Sequence, residues 1–418
     1  MKLRNIFAGP DAVAAFVFFL ACFIAPSFLL AQTDKTIENK TPLQTEIPKP
    51  QAVYEYLAPQ SIVNFMYAVK EAGQRGFRLD KLTAVPSGEA GTSKEKAGRT
   101  VLAGIVRYDG ENRYDYNFFF AEGEKEADNK LNLLADKGWY FREVVTVYGG
   151  GADTDPSGLF ENTVYSLPTV GNLYLLERVS QAKSNRQYKL LKAGVGIGKN
   201  PTEKMQSLLN EAVREDYVPV ATYYSFGVTS IVSVDSFFAV LVEKSAPGAK
   251  PEYRFIRGNR NEGLRKEIDK VTAEGYRLGV HNLNSAVMIR DAEKSAPVAY
   301  QWVLTDRKDY AANLTKVAES DAEFYSVGVD MASPGDFVKS VLIFRNKTAG
   351  NANRFEYRTL RMIPPRPKKQ KKGAPVQPPP AQEKPEDVFK KMLADGYTPR
   401  DLFYSDEDSL NVFFERRK

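Results

Sequence analysis

The chain has 418 residues, with Lys+Arg 58 against Asp+Glu 52 and a formal net charge of +6. Signs are mixed along the whole length, whereas a nucleic-acid groove needs basic residues concentrated on one folded face. Its one cysteine, Cys22, lies in the N-terminal apolar run and its one histidine is His281, so disulfides, thiolate catalysis and cysteine-based metal sites are excluded once that run is removed.

In chain order, the first element is an apolar run from Ala12 to Ala31, interrupted by Pro26 and Ser27, preceded by Lys2 and Arg4 and followed by Gln32-Thr33-Asp34-Lys35. This pattern reads as a secretory signal over residues 1–31, cleaved near Ala31. The run, residues 12–31, is also long enough to span a bilayer, so an uncleaved single N-terminal anchor is the alternative. Acylation at Cys22 is disfavoured, because Phe19-Leu20-Ala21 is a poor approach and the apolar run continues past the cysteine. Either way the remainder is expected outside the cytoplasm, periplasmic or secreted. Residues 32–51 are polar and carry Pro42, Pro48 and Pro50, which predicts a flexible tether.

From there a pattern recurs in units at 52–110, 112–180, 186–245, 251–293, 297–347 and 353–417. The openings are Tyr54-Glu55-Tyr56, Tyr114-Asp115-Tyr116, Tyr188-Lys189-Leu190, Tyr253-Arg254-Phe255, Tyr300-Gln301-Trp302 and Phe355-Glu356-Tyr357. A helical stretch then runs out into an aromatic at Gly76-Phe77, Gly138-Trp139, Asp216-Tyr217, Gly275-Tyr276, Glu323-Phe324 and Gly396-Tyr397. Each unit closes on an apolar strand with a polar end, as in Gly104-Ile105-Val106-Arg107 and Val412-Phe413-Phe414-Glu415-Arg416. Spacings of three and four residues, such as Leu264, Ile268 and Val271, put the helix's apolar residues on one stripe. Glycine before the aromatic suits a helix C-terminus, where it enters the left-handed region without penalty.

The expected fold is therefore α+β: six tandem βαββ units, each an antiparallel sheet covered on one face by a helix. A unit of this size buries too little to be secure alone, so neighbours should pair by sheet edges or by faces, and pairs are expected to merge into larger sheets. Unit two, with Tyr114-Asp115-Tyr116, Leu131, Leu134, Gly138-Trp139 and Glu177-Arg178, resembles a small bacterial βαββ family of domains of unknown function, and unit four with Gly275-Tyr276 is next. That resemblance implies a fold and no chemistry.

Candidate sites are few. Gly194-Val195-Gly196-Ile197-Gly198-Lys199 precedes a helix, but a phosphate loop needs glycine at Ala193 and Ser or Thr at Asn200, so it reads as a connection. A lone histidine cannot build a zinc site, and His281 reads as a surface strand residue. Gly149-Gly150-Gly151-Ala152-Asp153-Thr154-Asp155-Pro156 lacks calcium-loop spacing and reads as a long loop. Glu122, Glu124 and Glu126 lie at a helix start, where the dipole favours acids. The aromatics are assigned mainly to the core, with Trp139 and Trp302 the least certain.

Pro/Lys-rich residues 364–385, including Lys368-Lys369-Gln370-Lys371-Lys372, interrupt unit six and are expected to be a disordered insertion. Its functional alternative is a basic arm on anionic envelope material.

No catalytic, cofactor or metal-binding residue is assigned, and the binding residues stay open. The expected function is an exported non-enzymatic repeat protein, a binding or structural module at the bacterial cell envelope whose partner is a protein or envelope polymer and not nucleic acid. The alternatives are a carboxylate-dependent hydrolase with a site between repeats and a membrane-anchored envelope scaffold.

Overall fold

The computed structural model describes residues 53–418 except 87–99, 111, 122–123, 149–150, 155–163, 168–169, 180–185, 197, 231–232, 249, 259, 283, 292–296, 306–308, 321, 331–338, 347–354, 363–382 and 406–408. The expected signal, the tether and nearly all of the Pro/Lys-rich insertion lie outside the described residues.

Repeat 1 comprises β1 (Tyr54–Gln60), α1 (Ile62–Gln74), β2 (Phe77–Pro86) and β3 (Thr100–Tyr108). Repeat 2 comprises β4 (Tyr114–Ala121), α2 (Glu124–Asp136), β5 (Tyr140–Tyr148), a small ribbon of β6 (Gly151–Thr154) with β7 (Val164–Leu167), and β8 (Val170–Val179). Repeat 3 comprises β9 (Tyr188–Val195), α3 (Pro201–Arg214), β10 (Tyr217–Ser230) and β11 (Ser233–Lys244). Repeat 4 comprises β12 (Glu252–Arg257), α4 (Arg260–Ala273), β13 (Arg277–His281) and β14 (Ser285–Arg290). Repeat 5 comprises β15 (Tyr300–Leu304), α5 (Tyr310–Glu319), β16 (Ala322–Asp330) and β17 (Lys339–Asn346). Repeat 6 comprises β18 (Phe355–Arg361), α6 (Pro385–Ala394), β19 (Thr398–Ser405) and β20 (Ser409–Arg417).

Local signals explain the helices. Ser61 caps α1 by accepting from Asn64 N, and Asn200 with Pro201 starts α3 in the same way. At the other end the residue before the aromatic that leads into the second strand has positive φ: Gly76, Gly138, Gly275 and Gly396, and in repeat 3 Asp216 at φ 67. Asp216 is the described non-glycine residue that tolerates this region, as short polar side chains do.

Each repeat forms its own three-stranded antiparallel sheet in the order first, third, second strand. The expected merger of sheets does not occur among the described residues; repeats join by faces instead. The apolar stripe of α1 (Phe65, Met66, Val69) packs on Leu79 and Leu102 of its own sheet and on Tyr116, Phe118 and Leu173 of the next. The same sandwich recurs with α2 between sheets 2 and 3, α3 between 3 and 4, α4 between 4 and 5, and α5 between 5 and 6. Finally α6 packs with Phe389 and Met392 against Val85, Ala103 and Ile105 of repeat 1. The six repeats therefore close into a ring, each sheet covered by helices on both faces. Closure disposes of the apolar outer faces that an open array leaves at its ends.

In this ring the second strands lie innermost. β2 touches β5, β5 touches β10, β10 touches β13, β16 touches β19 and β19 touches β2. β13 meets β16 through a bond from Tyr325 Oη to Leu278 O (2.5 Å). The first strands are the outer edges, and two are covered by amide side chains of the preceding helix. Asn132 bonds both N and O of Tyr188, while Gln206 bonds Tyr253 O and Phe255 N. Such cover blunts an edge that could otherwise pair with another chain.

Candidate functional site at the ring axis

Every second strand carries a β-bulge shortly after it begins, at Leu79/Lys81, Phe141/Glu143, Pro219/Ala221, Leu278/His281, Phe324/Ser326 and Pro399/Asp401. A bulge re-aims the side chains that follow it. The residues that follow it on the inner strands are Lys81, Glu143, Ala221, Val280, Ser326 and Asp401, of which Ala221 and Val280 pack against the cores between repeats 2 and 3 and between repeats 3 and 4. The charged members belong to repeats 6, 1 and 2, which are consecutive around the ring. The equivalent positions of repeats 3, 4 and 5 carry neutral residues.

Lys81 Nζ lies 3.8 Å from Asp401 Oδ2, and this ion pair joins the first repeat to the last. Asp401 also accepts the N–H groups of Leu402 and of Val327 in repeat 5. Its carboxyl is nevertheless pushed up, chiefly by burial, against the pull of Lys81. Glu143 accepts the N–H of Val144 and is likewise pushed up by burial, with Arg142 and Lys81 opposing and Asp401 adding to the rise. Glu143 of repeat 2 thus feels the charges of Lys81 in repeat 1 and Asp401 in repeat 6. Glu143 is exposed to water. Lys81 is held protonated above the ordinary lysine range, first by Asp401.

Between repeats 4 and 5 His281 Nε2 meets Ser326 Oγ at 2.7 Å, and the imidazole packs against the Tyr325 ring at 6.3 Å. Burial lowers its pKa to about 4. The expected surface histidine is a half-buried one whose burial disfavours its charged form, because β13 is an inner strand and not an outer edge. It was identified as the one histidine, but its place beside the axis depends on ring closure.

Just off the axis, Glu177 is fully buried and receives Arg78 from the preceding repeat, with Nη2 to Oε1 at 2.6 Å and Nε to Oε1 at 2.9 Å. Tyr116 Oη donates to its Oε2 at 3.3 Å. This ion pair fastens repeat 1 to repeat 2 and commits Glu177 to a structural role.

The other sequence candidates fall elsewhere. The glycine-rich run joins β9 to α3, with Gly198 in the left-handed region and Asn200 capping the helix. Gly151–Thr154 of the presumed long loop pairs as β6 with β7, a correction to the loop reading. Glu126 forms an i,i+4 bridge with Lys130 at 2.7 Å, and Glu122 lies outside the described residues. Trp139 is buried with Arg178 4.4 Å above its ring, and Trp302 is partly buried with its indole N–H unpartnered. An open cleft of about 520 Å³ lies over β12 between α3 and α4, where Arg254 and Glu274 pair with each other at 2.5 Å and the charged lining faces water.

Among the described residues no helix is long and apolar enough to cross a membrane, and no group of three or more His, Asp or Glu could hold a metal ion. Comparison with family models, with curated proteins and with solved structures found no match to this chain.

Proposed function

We propose that the chain is an exported, non-enzymatic binding module of the cell envelope whose recognition site is the polar axis of the ring. The supporting observation is the axial partition itself. Scaffold positions repeat around the ring, while the positions after the bulges carry Lys81, Glu143 and Asp401 in three consecutive repeats and the neutral Ala221, Val280 and Ser326 in the other three. Such a surface suits a partner that presents a charged group beside a neutral one, as peptides and envelope polymers both do. Repeat arrays commonly bind through surfaces that several units share.

The second reading is a carboxylate-dependent hydrolase, and what favours it is the pair Glu143 and Asp401, both shifted upward near one axis. Against it, Asp401 is engaged by Lys81 and two backbone N–H groups, so Glu143 is the acid with capacity to spare. A membrane-anchored scaffold, held by residues 12–31, remains compatible with the same axis.

The test is co-sedimentation of residues 32–418 with peptidoglycan, membranes and soluble extract proteins at two salt concentrations, for wild type and for Glu143→Gln. Binding at the axis predicts salt-resistant retention by one fraction that falls at least about tenfold in the variant. Retention unchanged by Glu143→Gln would remove the axis as the site, and release of soluble sugar or peptide by wild type alone would favour the hydrolase.

A further inference from the structure

The seams between repeats are not equivalent, and their differences have a period of three. In each repeat one tyrosine of the first strand stands at the same register against the closing strand: Tyr54, Tyr116, Tyr188, Tyr253, Tyr300 and Tyr357. Where the preceding repeat offers an N–H just before its bulge, this phenol accepts it. Leu79 N reaches Tyr116 Oη at 2.7 Å, Phe141 N reaches Tyr188 Oη at 2.9 Å and Leu278 N reaches Tyr300 Oη at 2.9 Å. At the 5/6 seam the Tyr357 hydroxyl donates to Ala322 O at 2.9 Å, and the Phe324 N–H also acts on it. The donor residues in order are Leu79, Phe141, Pro219, Leu278, Phe324 and Pro399.

The order is thus Leu, Phe, Pro and again Leu, Phe, Pro. Proline has no N–H, so the clasp is chemically impossible from repeat 3 to 4 and from repeat 6 to 1. A second latch obeys the same period. At the 1/2 seam Arg142 Nη2 donates to Leu79 O at 2.6 Å, and at the 4/5 seam Tyr325 Oη donates to Leu278 O at 2.5 Å. The corresponding bulge residues at the two proline seams are Gly279, which has no side chain, and Asp80, whose carboxylate cannot donate to a carbonyl.

We propose that the ring is two fused three-repeat halves, hinged at the 3/4 seam and gated at the 6/1 seam, with the Lys81–Asp401 ion pair as the latch of the gate. The two proline seams differ in what else holds them. At 3/4 the chain is continuous, Gln206 bridges to the edge of β12, and Thr222 Oγ1 meets Ser285 Oγ at 3.2 Å. At 6/1 the contact joins the first repeat to the last; among the described residues it includes the apolar core around Phe389 and Met392, the Tyr56–Phe389 ring contact at 6.0 Å and the Lys81–Asp401 ion pair. Opening this seam parts repeat 1 from repeat 6 in the middle of the charged wall. Access to the axis and the state of the gate are therefore linked, whichever partner the axis takes.

Hydrogen exchange read by mass spectrometry on the full chain tests this, comparing backbone amides of β3 and β19 at the 6/1 seam with those of β5 and β16 at clasped seams. Exchange at 6/1 is expected to be at least about tenfold faster than at 1/2 and 4/5. Lys81→Met should accelerate 6/1 further and leave 1/2 and 4/5 unchanged. Pro399→Leu, which restores a donor for Tyr54, should slow 6/1. Equal protection at all seams, or no response of 6/1 to Lys81→Met, would overturn the proposal. If Pro399→Leu does not fold, the wild-type comparison and Lys81→Met decide alone.

Discussion

Tyr116→Phe isolates one clasp with the least possible change of shape. Tyr116 is fully buried, and its hydroxyl both accepts from Leu79 N, itself on a residue 1% exposed, and donates to the buried Glu177. Removing the oxygen strands a buried N–H and takes one donor from a buried carboxylate. At about 1–3 kcal/mol for an unsatisfied buried group and about 1 for a lost hydrogen bond, the cost should be about 3 kcal/mol. Tyr54→Phe is the matched control, because Pro399, at the equivalent position of repeat 6, has no N–H to strand; it should stay within about 0.5 kcal/mol of wild type. Urea denaturation followed by circular dichroism gives the global change, and exchange of the Leu79 amide gives the local one. Equal costs for the two substitutions would refute the clasp as the difference between seams.

Three further outcomes can be checked on the same preparation. Glu177→Ala leaves the Arg78 guanidinium without its buried partner, and since Arg78 is partly exposed the loss should be about 3 kcal/mol by denaturant titration. Gly73→Ala reverses the usual helix rule: alanine normally gains about 1 kcal/mol, yet here its Cβ would fall 2.3 Å from Tyr114 O of the next repeat. A net destabilisation of about 2 kcal/mol is expected by thermal denaturation, and any stabilisation would show that α1 does not lie this close to β4. His281 has a folded pKa of about 4 against 6.5 unfolded, so folding disfavours its charged form. Its contribution is complete above pH 6.5 and is lost as pH falls toward 4; the shift sets a ceiling of about 3.4 kcal/mol, and partial exposure of the ring reduces this to about 2. The difference in stability between wild type and His281→Gln should therefore change over that window and be flat above it.

The recurrence of strand, helix, strand and strand was legible because period and turn chemistry are local. Alignment between repeats was less so. Tyr-x-Tyr places two aromatics on one strand face, and the openings at Tyr114 and Phe355 were matched to Tyr54 one pleat away from their structural equivalents, Tyr116 and Tyr357. In repeat 5 the position after the helix is occupied by Ala322, while Phe324 takes the donor position two residues later. An aromatic landmark misses an alanine. Ring closure was hidden for another reason: it follows from the rotation between successive repeats, which no residue pattern encodes. The axis did leave a trace, in the charged dipeptides Asp80-Lys81, Arg142-Glu143 and Arg400-Asp401 at one offset from the helix end in three of the repeats. Without the bulge these read as ordinary solvent-facing strand residues.

The two sets of positions on the inner strands behave differently, and the contrast bears on function. The donor positions keep a twofold pattern, Leu79 with Leu278, Phe141 with Phe324 and Pro219 with Pro399, although nothing in strand geometry prefers leucine to phenylalanine there. A duplicated half explains the pattern, and packing between repeats explains its retention. Two residues farther along the same strands, the pairs are Lys81 with Val280, Glu143 with Ser326 and Ala221 with Asp401. Each pair sets a charge against a neutral residue. Backbone and bulge are shared, so the scaffold does not demand the difference. A charge near the axis carries a desolvation cost, seen in the upward shifts of Glu143 and Asp401, and a ring optimised for stability alone would place neutral residues at all of these positions. That unevenly distributed cost is the physical reason for looking to the axis, and to the wall formed by repeats 6, 1 and 2, for the partner.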